Sequence, residues 1–221
     1  MDIHFLRSPF SSLLAFGKFG ALALFILLSA CSESFTDSRD GQSYGVVKIG
    51  EQTWMAENLN YATEGSACPD GDTRNCKRLG RLYTWTEAKT VCPEGWRLPT
   101  KADFEKLIAE MLKDGMASSK GDAGAALKAK DGWFKKGNGS DVLGFKAQPA
   151  GFRGAISKAD DGAITGGKFD GIGGYAYFWS ATEDEEFPES LAYYLFLSFS
   201  SDAASLNAFA KADYRSVRCV Q

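Results

Sequence analysis

The five cysteines of this 221-residue chain divide into one that closes an N-terminal leader and four that lie beyond it. The leader has a basic residue at Arg7, an apolar run over residues 19–28 and small residues before Cys31. These features are typical of a secretory signal, and the run is too short to span a bilayer as a stable helix. Export places the other cysteines in an oxidising compartment, where an even number predicts two disulfides.

The four remaining cysteines allow three pairings. The segment between Cys68 and Cys76 is short and rich in turn residues, which favours a small closed loop. The other pair, Cys92 and Cys219, would then join the first predicted helix to the last predicted strand and contribute about 4–5 kcal/mol in the chain-entropy model. The alternative is a metal site, which is disfavoured because the spacing is not that of zinc sites and no histidine can complete one.

Cys31 stands where bacterial lipoproteins carry their lipid. A cysteine directly after Leu-Ser-Ala matches a lipobox, so we expect cleavage before Cys31 and its acylation. The chain then divides into a signal peptide over residues 1–30, a polar tether over residues 31–41 and one domain over residues 42–221. Acyl chains would anchor this domain to the membrane. Ser32 is not the Asp associated with inner-membrane retention in enterobacteria, which predicts the outer membrane and leaves open which side the domain faces.

The positions of the histidine and of the charged residues limit the reactions and ligands that the mature chain can support. The single histidine, His4, lies in the leader, so the mature chain can form neither a Ser-His-Asp triad nor a His-ligated metal site. The leader also carries two basic and one acidic residue, so the net charge changes from −3 to −4 on cleavage. A mildly acidic chain without a basic block is a poor candidate for nucleic-acid binding. We expect no catalytic residue, no metal, no cofactor and no nucleic-acid partner.

Local patterns predict a mixture of strands and short helices. Residues 44–49 and 52–55 flank a glycine and predict a β-hairpin. Thr84 fits a capping box with Glu87, and Thr100 caps a second helix whose apolar residues follow the helical period. A weaker third helix is predicted over residues 123–130. Further strands are predicted over residues 79–85, 175–180, 191–199, 206–210 and 214–220.

The stretch over residues 132–174 is irregular and glycine-rich. A loop of this length in a compact domain is usually functional or disordered, and the aromatic side chains of Phe145, Phe152 and Phe169 within it argue against disorder. Trp133 is the tryptophan that we expect to be exposed, whereas the other four are expected in the core. With Arg153 and Lys168 it forms our set of candidate ligand-binding residues, because aromatic rings stack on sugar faces and dominate protein interfaces.

Six motifs of the chain carry a family resemblance. They are Gly50-x-x-x-Trp54-Met-Ala-Glu-Asn-Leu-Asn-Tyr61, Gly80-Arg-Leu-Tyr83-Thr-Trp-Thr-Glu-Ala88, Cys92-Pro-Glu-Gly-Trp96-Arg-Leu-Pro-Thr100, Gly144-Phe-Lys-Ala-Gln-Pro-Ala-Gly151-Phe-Arg153, Phe178-Trp-Ser-Ala-Thr182 and Ser216-Val-Arg-Cys219. In type and order they resemble the Fibrobacter succinogenes major paralogous domain over residues 41–221. The resemblance implies a domain of secreted and lipid-anchored bacterial proteins, and it implies no activity because the family's biochemical role is undefined.

A second resemblance concerns the fold. The capped helix before Cys92, the following Trp96-Arg-Leu-Pro and the second helix look like the front half of a C-type lectin-like domain. In such domains a cysteine of the terminal strand bonds the first helix, which is the arrangement of Cys92 and Cys219. The resemblance implies an α+β fold with two or three helices, a mainly antiparallel sheet and a long irregular loop region.

The calcium site of sugar-binding C-type lectins is not supported here. Gln148-Pro149-Ala150 lacks the acidic third residue of that site, and Ser180-Ala181 follows Trp179 where the family has Asn-Asp. The acidic run Glu183-Asp-Glu-Glu186 has oxygen ligands that calcium accepts, but a solvated charged turn is the ordinary interpretation.

The sequence therefore predicts a lipid-anchored protein of the cell envelope with a non-catalytic binding domain, for polysaccharide or a protein partner. One alternative is a structural envelope component without a soluble ligand. The other is an enzyme similar to formylglycine-generating enzymes, which share the C-type lectin-like fold. That enzyme would need a free cysteine near the C-terminus, and Cys219 is the only one there.

Overall fold

A computed structural model describes residues 33–158 and 164–221. The predicted signal peptide and the predicted lipidation site at Cys31 lie outside the described residues. The helices are α1 (Thr73–Leu79), α2 (Trp85–Val91), α3 (Lys101–Leu112) and α4 (Ala123–Leu127). The strands are β1 (Ser34–Thr36), β2 (Ser43–Ile49), β3 (Gln52–Met55), β4 (Leu82–Tyr83), β5 (Ala150–Arg153), β6 (Ile156–Lys158), β7 (Ile164–Gly166), β8 (Phe169–Ile172), β9 (Tyr175–Glu183), β10 (Leu191–Ser198), β11 (Ala204–Ala210) and β12 (Arg215–Ser216).

The fold is α+β, and most strand pairs are antiparallel, as predicted. The main sheet has the order β11-β10-β9-β12-β4, and a second sheet has the order β1-β2-β3. Within the main sheet only the contact of β12 with β9 is parallel. No helix in the described part of the chain is long and apolar enough to cross a membrane.

The second sheet begins earlier than the sequence predicts. The hairpin of β2 and β3 is confirmed, with Val47 opposite Trp54. The stretch predicted as a tether also contributes a strand, because β1 pairs with β2 in the register Phe35 opposite Tyr44. The sequence pattern hides this strand because it has only three residues, too few for an alternation to show.

Both predicted helix starts have the expected hydrogen bonds. The hydroxyl of Thr84 accepts from the backbone N–H of Glu87, whose carboxylate accepts from the N–H of Thr84, and this box begins α2. Thr100 and Asp103 form the same arrangement at the start of α3. Burial alone would raise the pKa of Asp103, but hydrogen bonds from Arg97 and Thr100 hold it well below its usual range. The negative carboxylate of Asp103 lies near the N-terminus of α3, where it interacts favourably with the helix dipole.

The two predicted disulfides are present and explain one missed helix. Cys68 is bonded to Cys76, and Cys92 to Cys219. Inside the smaller loop, Asp72 caps α1 by accepting from the N–H of Arg74. The same turn-forming residues that predict a closed loop also suit a helix N-cap, so the sequence does not reveal α1. The fold therefore has four α-helices in the described residues where two or three were predicted.

Two hydrophobic cores lie on opposite sides of the main sheet. On one side, Phe178 and Leu195 pack with the apolar stripe of α3 and with Phe145. On the other side, Trp179 and Tyr194 pack with α2 and the second sheet. Because side chains alternate along a strand, neighbouring residues of β9 serve different cores.

The glycine-rich stretch is more regular than predicted. It contains β5 paired with β8, and β6 paired with β7, both antiparallel. The β5–β8 pair packs against β9 beside the main sheet. Three- and four-residue strands separated by glycines carry little periodic signal, which is why the sequence indicates only an irregular region.

Candidate binding surface

One face of the main sheet presents a series of aromatic rings that no helix covers along its whole length. On β9 the residues of this face include Tyr175 and Tyr177, and on β10 they include Tyr194 and Phe196. Phe196 lies opposite Tyr177 and Tyr194 lies opposite Trp179, so all of them point to the same side. Helix α2 packs at the Trp179 end, where the residues are buried.

The rings form a continuous series that we call the aromatic ladder. Its members are Phe134, Phe199, Tyr175, Phe196, Tyr177 and Tyr194. Successive ring centroids are separated by 6.3 Å, 6.0 Å, 5.8 Å, 5.1 Å and 5.7 Å in that order. These separations lie in the range of favourable aromatic pairs, so the rings hold one another in place.

The ladder changes from exposed to buried along its length. Phe134 is 53% exposed, whereas Tyr194 at the other end is 8% exposed. Tyr175, Tyr177 and Phe196 are half-buried between them. Within the described residues, the phenol oxygens of the three ladder tyrosines have no hydrogen-bond partner, and none of these oxygens is completely buried. The ladder therefore offers ring faces together with unused hydroxyl groups.

A buried arginine lies over the rings at the buried end of this face. The guanidinium of Arg215 is 4.5 Å from the ring centroid of Trp179, 4.6 Å from that of Tyr194 and 5.4 Å from that of Tyr177. Its Nη1 is 3.3 Å from Asp213 Oδ2. Burial lowers the pKa of Arg215, and the charge of Asp213 opposes this effect. Burial raises the pKa of Tyr177 to about 12, so its hydroxyl stays protonated at neutral pH.

Glycines of the loop make room for the exposed end of the ladder. Gly171 has a positive φ of 80°, and a Cβ there would lie 2.7 Å from Cδ2 of Tyr175. A Cβ at Gly173 would collide with the ring of Phe134. The carbonyl of Gly173 also accepts a hydrogen bond from the N–H of Phe134 (2.7 Å). The glycine-rich sequence thus lets two rings lie directly on the backbone.

The expectation that Trp133 is exposed is wrong. Trp133 is 5% exposed, and its Nε1 donates to the carbonyl of Ala147 (3.1 Å). Its neighbour Phe134 is the exposed residue instead. Both neighbours are aromatic and lie beside glycine and lysines, so composition could not decide which of the two turns inward. The buried Trp133 is held by the core rather than being free for a ligand.

Arg153 and Lys168 lie near the β5–β8 pair, beside the ladder. The Arg153 guanidinium is 5.2 Å from the ring centroid of Phe169 and 5.0 Å from that of Tyr214. Its Nε donates to the carbonyl of Gly167 (3.2 Å). Lys168 is exposed. A ligand-binding role for these two residues stays a prediction, with Arg153 partly engaged by its neighbours and Lys168 accessible.

The acidic run after β9 is a turn with internal partners. The carboxylate of Asp184 accepts from the backbone N–H groups of Glu186 (3.1 Å) and Phe187 (2.9 Å). Glu183 pairs with Lys211 at 2.7 Å. Across the described residues, no group of three or more His, Cys, Asp or Glu side chains is arranged to hold a metal ion.

A polar cleft of about 230 Å³ lies away from the ladder, between the second sheet and α1. Its lining includes Glu57, Asn60 and Lys146. Glu57 accepts from the N–H of Gly45 (2.6 Å), and Asn60 Nδ2 donates to Gln42 (2.8 Å). The carboxylate of Glu57 and the Nδ2 group of Asn60 are therefore engaged with the protein itself.

Most residues in the sequence motifs hold the fold. Asn58 and Arg218, for example, are joined through a 2.6 Å hydrogen bond in the interior.

The Fibrobacter succinogenes major domain model matches residues 47–221. No curated protein and no solved structure matches the chain, so the C-type lectin-like label stays a prediction. The match over most of the chain shows that this protein belongs to the Fibrobacter succinogenes major domain family.

Proposed function

We propose that this chain is a lipid-anchored protein of the cell envelope, at the outer membrane, whose domain binds polysaccharide without catalysis through the aromatic ladder. The observation that carries the proposal is the row of rings in which Tyr175 and Tyr177 are half-buried, while the phenol groups of Tyr175, Tyr177 and Tyr194 have no hydrogen-bond partner among the described residues. Sugar rings have apolar faces that stack on aromatic side chains and hydroxyls that hydrogen-bond at the edges. A tyrosine offers both kinds of contact at once.

The ladder suits an uncharged polysaccharide better than a highly charged one. Its surface is formed by Tyr and Phe side chains, and the nearest strand, β11, adds Ser205 and Asn207 on the same face. Arg215 lies too deep to meet a ligand, with 2% of its surface exposed. Lys135, whose Nζ is 5.3 Å from the ring centroid of Phe199, places a positive charge beside the open end.

A protein partner is the second candidate for the same surface. Tyr-rich patches are also common at the centres of protein interfaces, so the rings alone fit both ligands. The tyrosine hydroxyls favour a sugar, because a sugar ring carries hydroxyl groups around its apolar face that can hydrogen-bond to them while the face stacks on the rings. An enzyme of the formylglycine-generating kind is not favoured, since Cys219 is bonded to Cys92 and carries no free thiol.

Affinity electrophoresis in gels that contain soluble plant-wall polysaccharides tests the proposal. We expect the wild-type protein to be retarded by at least one neutral polymer and Tyr177→Ala to bind about tenfold more weakly, which is equivalent to about 1.4 kcal/mol. Tyr193→Ala is the matched control, because Tyr193 lies on the neighbouring strand β10 but on the opposite face of the sheet, where its ring centroid is 4.1 Å from Lys101 Nζ.

The outcomes separate the candidates. Retardation that Tyr177→Ala weakens and Tyr193→Ala preserves supports polysaccharide binding at the ladder. Equal loss in both variants, or no retardation by any polymer, contradicts it and favours a protein partner or a purely structural envelope component. Lipid anchoring is tested separately, since Cys31→Ala is expected to move the protein from the membrane fraction to the soluble fraction.

A further inference from the structure

The folded domain begins almost directly after the proposed lipid. The carbonyl of Glu33 already accepts a hydrogen bond from the N–H of Val46 (2.8 Å), and β1 starts at Ser34. Only Ser32 stands between Cys31 and Glu33. A polypeptide extends by at most about 3.3–3.6 Å per residue, so Glu33 lies within about 7 Å of Cys31 along the chain.

The turn that follows β1 is also fixed, so β1 cannot detach to increase the distance between the domain and Cys31. Asp37 is fully buried, and its carboxylate holds the guanidinium of Arg39 at 2.7 Å. The backbone N–H of Asp37 donates to the carbonyl of Gln42, and the N–H of Gly41 donates to the carbonyl of Asp37 (both 2.8 Å). These bonds close the turn between β1 and β2. Movement away from the anchor would require β1 to leave the sheet.

Resting on the lipidation of Cys31 that we propose above, we infer that the free edge of β1 lies against the lipid headgroups. The domain is therefore held at the membrane surface rather than on a flexible stalk. The same argument brings the cleft beside β1 to the membrane, a cleft of about 410 Å³ whose lining includes Ser34, Gly144 and Lys146.

The chemistry of this edge suits headgroups rather than hydrocarbon. Ser34 and Thr36 are exposed, and the hydroxyl of Thr36 is 2.9 Å from that of Ser43. Lys146 and Glu57 add charges of both signs beside the cleft. Among the described residues, the large exposed apolar side chains lie outside the second sheet, so this edge meets the bilayer surface without inserting. Contact would also cover the outer edge of β1, which pairs with no other strand of the second sheet.

Hydrogen exchange of the purified lipoprotein in vesicles of phosphatidylethanolamine and phosphatidylglycerol tests this inference. The comparison is with a variant that carries a flexible Gly-Ser insertion of about twelve residues between Ser32 and Glu33. In the wild-type protein, we expect vesicles to slow exchange at residues 33–36 and 144–146 about fivefold relative to detergent. In the insertion variant, we expect this slowing to disappear.

The other outcomes overturn the inference. Exchange that vesicles leave unchanged in the wild-type protein shows that the edge does not meet the membrane. Slowing that persists in the insertion variant shows that the short connection is not its cause. Intact-mass measurement separates these results from failure of the proposed anchoring, because a chain without an acyl mass on Cys31 would not float with the vesicles at all.

Discussion

Neighbouring residues of β9 contribute to two aromatic clusters that differ in their access to solvent. Phe178 belongs to a closed cluster with Trp54, Phe104 and Phe145, all completely buried, whose ring centroids are 5.6–5.9 Å apart. Tyr177, the preceding residue, belongs to the aromatic ladder on the other face. Ring spacing is similar in the two clusters, so spacing does not distinguish a core from a surface. The distinguishing features are how far other side chains cover the rings and that three of the six ladder rings carry hydroxyls, whereas none of the closed cluster does.

Each cluster also stacks on a buried arginine, and the two arginines are held differently. Arg218 lies 4.5 Å from the ring centroid of Phe145 and donates to the carbonyls of Met55 and Phe145 and to Asn58 Oδ1. Burial lowers the pKa of Arg218 to about 9. Arg215, beside the ladder, has the carboxylate of Asp213 as its partner. The arginine of the closed cluster is therefore held mainly by backbone carbonyls, whereas the arginine beside the ladder is held by an ion pair with Asp213.

Alanine substitutions in the two clusters should lower the free energy of unfolding by different amounts. Phe178→Ala removes a fully buried ring and should lower the free energy of unfolding by about 3–5 kcal/mol. Tyr177→Ala should lower it by only about 1–2 kcal/mol, because the ring is half-buried and the face can rehydrate. Urea unfolding of the two variants measures the difference. Equal losses would mean that Tyr177 belongs to the closed interior rather than to an open surface.

The arginines provide the next comparison. Arg218→Met should lower the free energy of unfolding by about 3 kcal/mol, because several buried carbonyl groups and Asn58 lose their donor. Arg215→Met leaves Asp213, which still accepts from the N–H of Ala155 (2.9 Å), so a loss of about 2 kcal/mol is expected. Thermal unfolding monitored by circular dichroism checks both values. A harmless Arg218→Met would refute the role of this side chain in fixing the closed cluster.

Alkaline pH should affect the ladder and leave the closed cluster's rings unchanged, because Phe and Trp do not ionise. The pKa of Tyr177 is raised by burial to about 12, so the folded state favours the protonated phenol. Its contribution to stability is complete below the unfolded value of about 10 and is lost as the pH rises towards 12. Unfolding at pH 8 and 11 should show a smaller loss in Tyr177→Phe than in the wild-type protein. Identical losses would contradict a buried, titrating Tyr177.

Substitution of Lys168, which lies beside the ladder, should change polysaccharide binding only slightly. Lys168 is exposed, so Lys168→Ala should weaken polysaccharide binding by about twofold or less and leave stability unchanged, as surface substitutions usually do. Affinity electrophoresis provides the measurement. A loss as large as that of Tyr177→Ala would move the centre of the binding surface from the ladder to the β5–β8 pair.

The parts of the fold that could be predicted have strong local chemistry. Thr84 with Glu87 satisfies free N–H groups within one helical turn, so the start of α2 follows from four residues. The Cys68–Cys76 pairing follows from a short turn-rich loop, and the second pairing follows by elimination. These features depend on neighbours in sequence, which one chain displays directly.

The parts that could not be predicted depend on distant contacts. The alternation of Tyr175 and Tyr177 with apolar residues is visible, but both faces of β9 and β10 are rich in large apolar side chains. The pattern therefore cannot show that α2 covers only one end of the ladder face. Trp133 and Phe134 differ in burial for the same reason, because their order along the chain does not decide which one meets the core.

Hydroxyl-radical footprinting of aromatic side chains, with and without a retained neutral polysaccharide, shows whether the polymer binds on the aromatic ladder. We predict that Tyr175, Tyr177 and Phe196 are oxidised more slowly in the presence of the polymer, while Tyr193 on the opposite face is unchanged. Protection of Tyr193 with none at the three ladder residues would show that the ladder is not the binding surface.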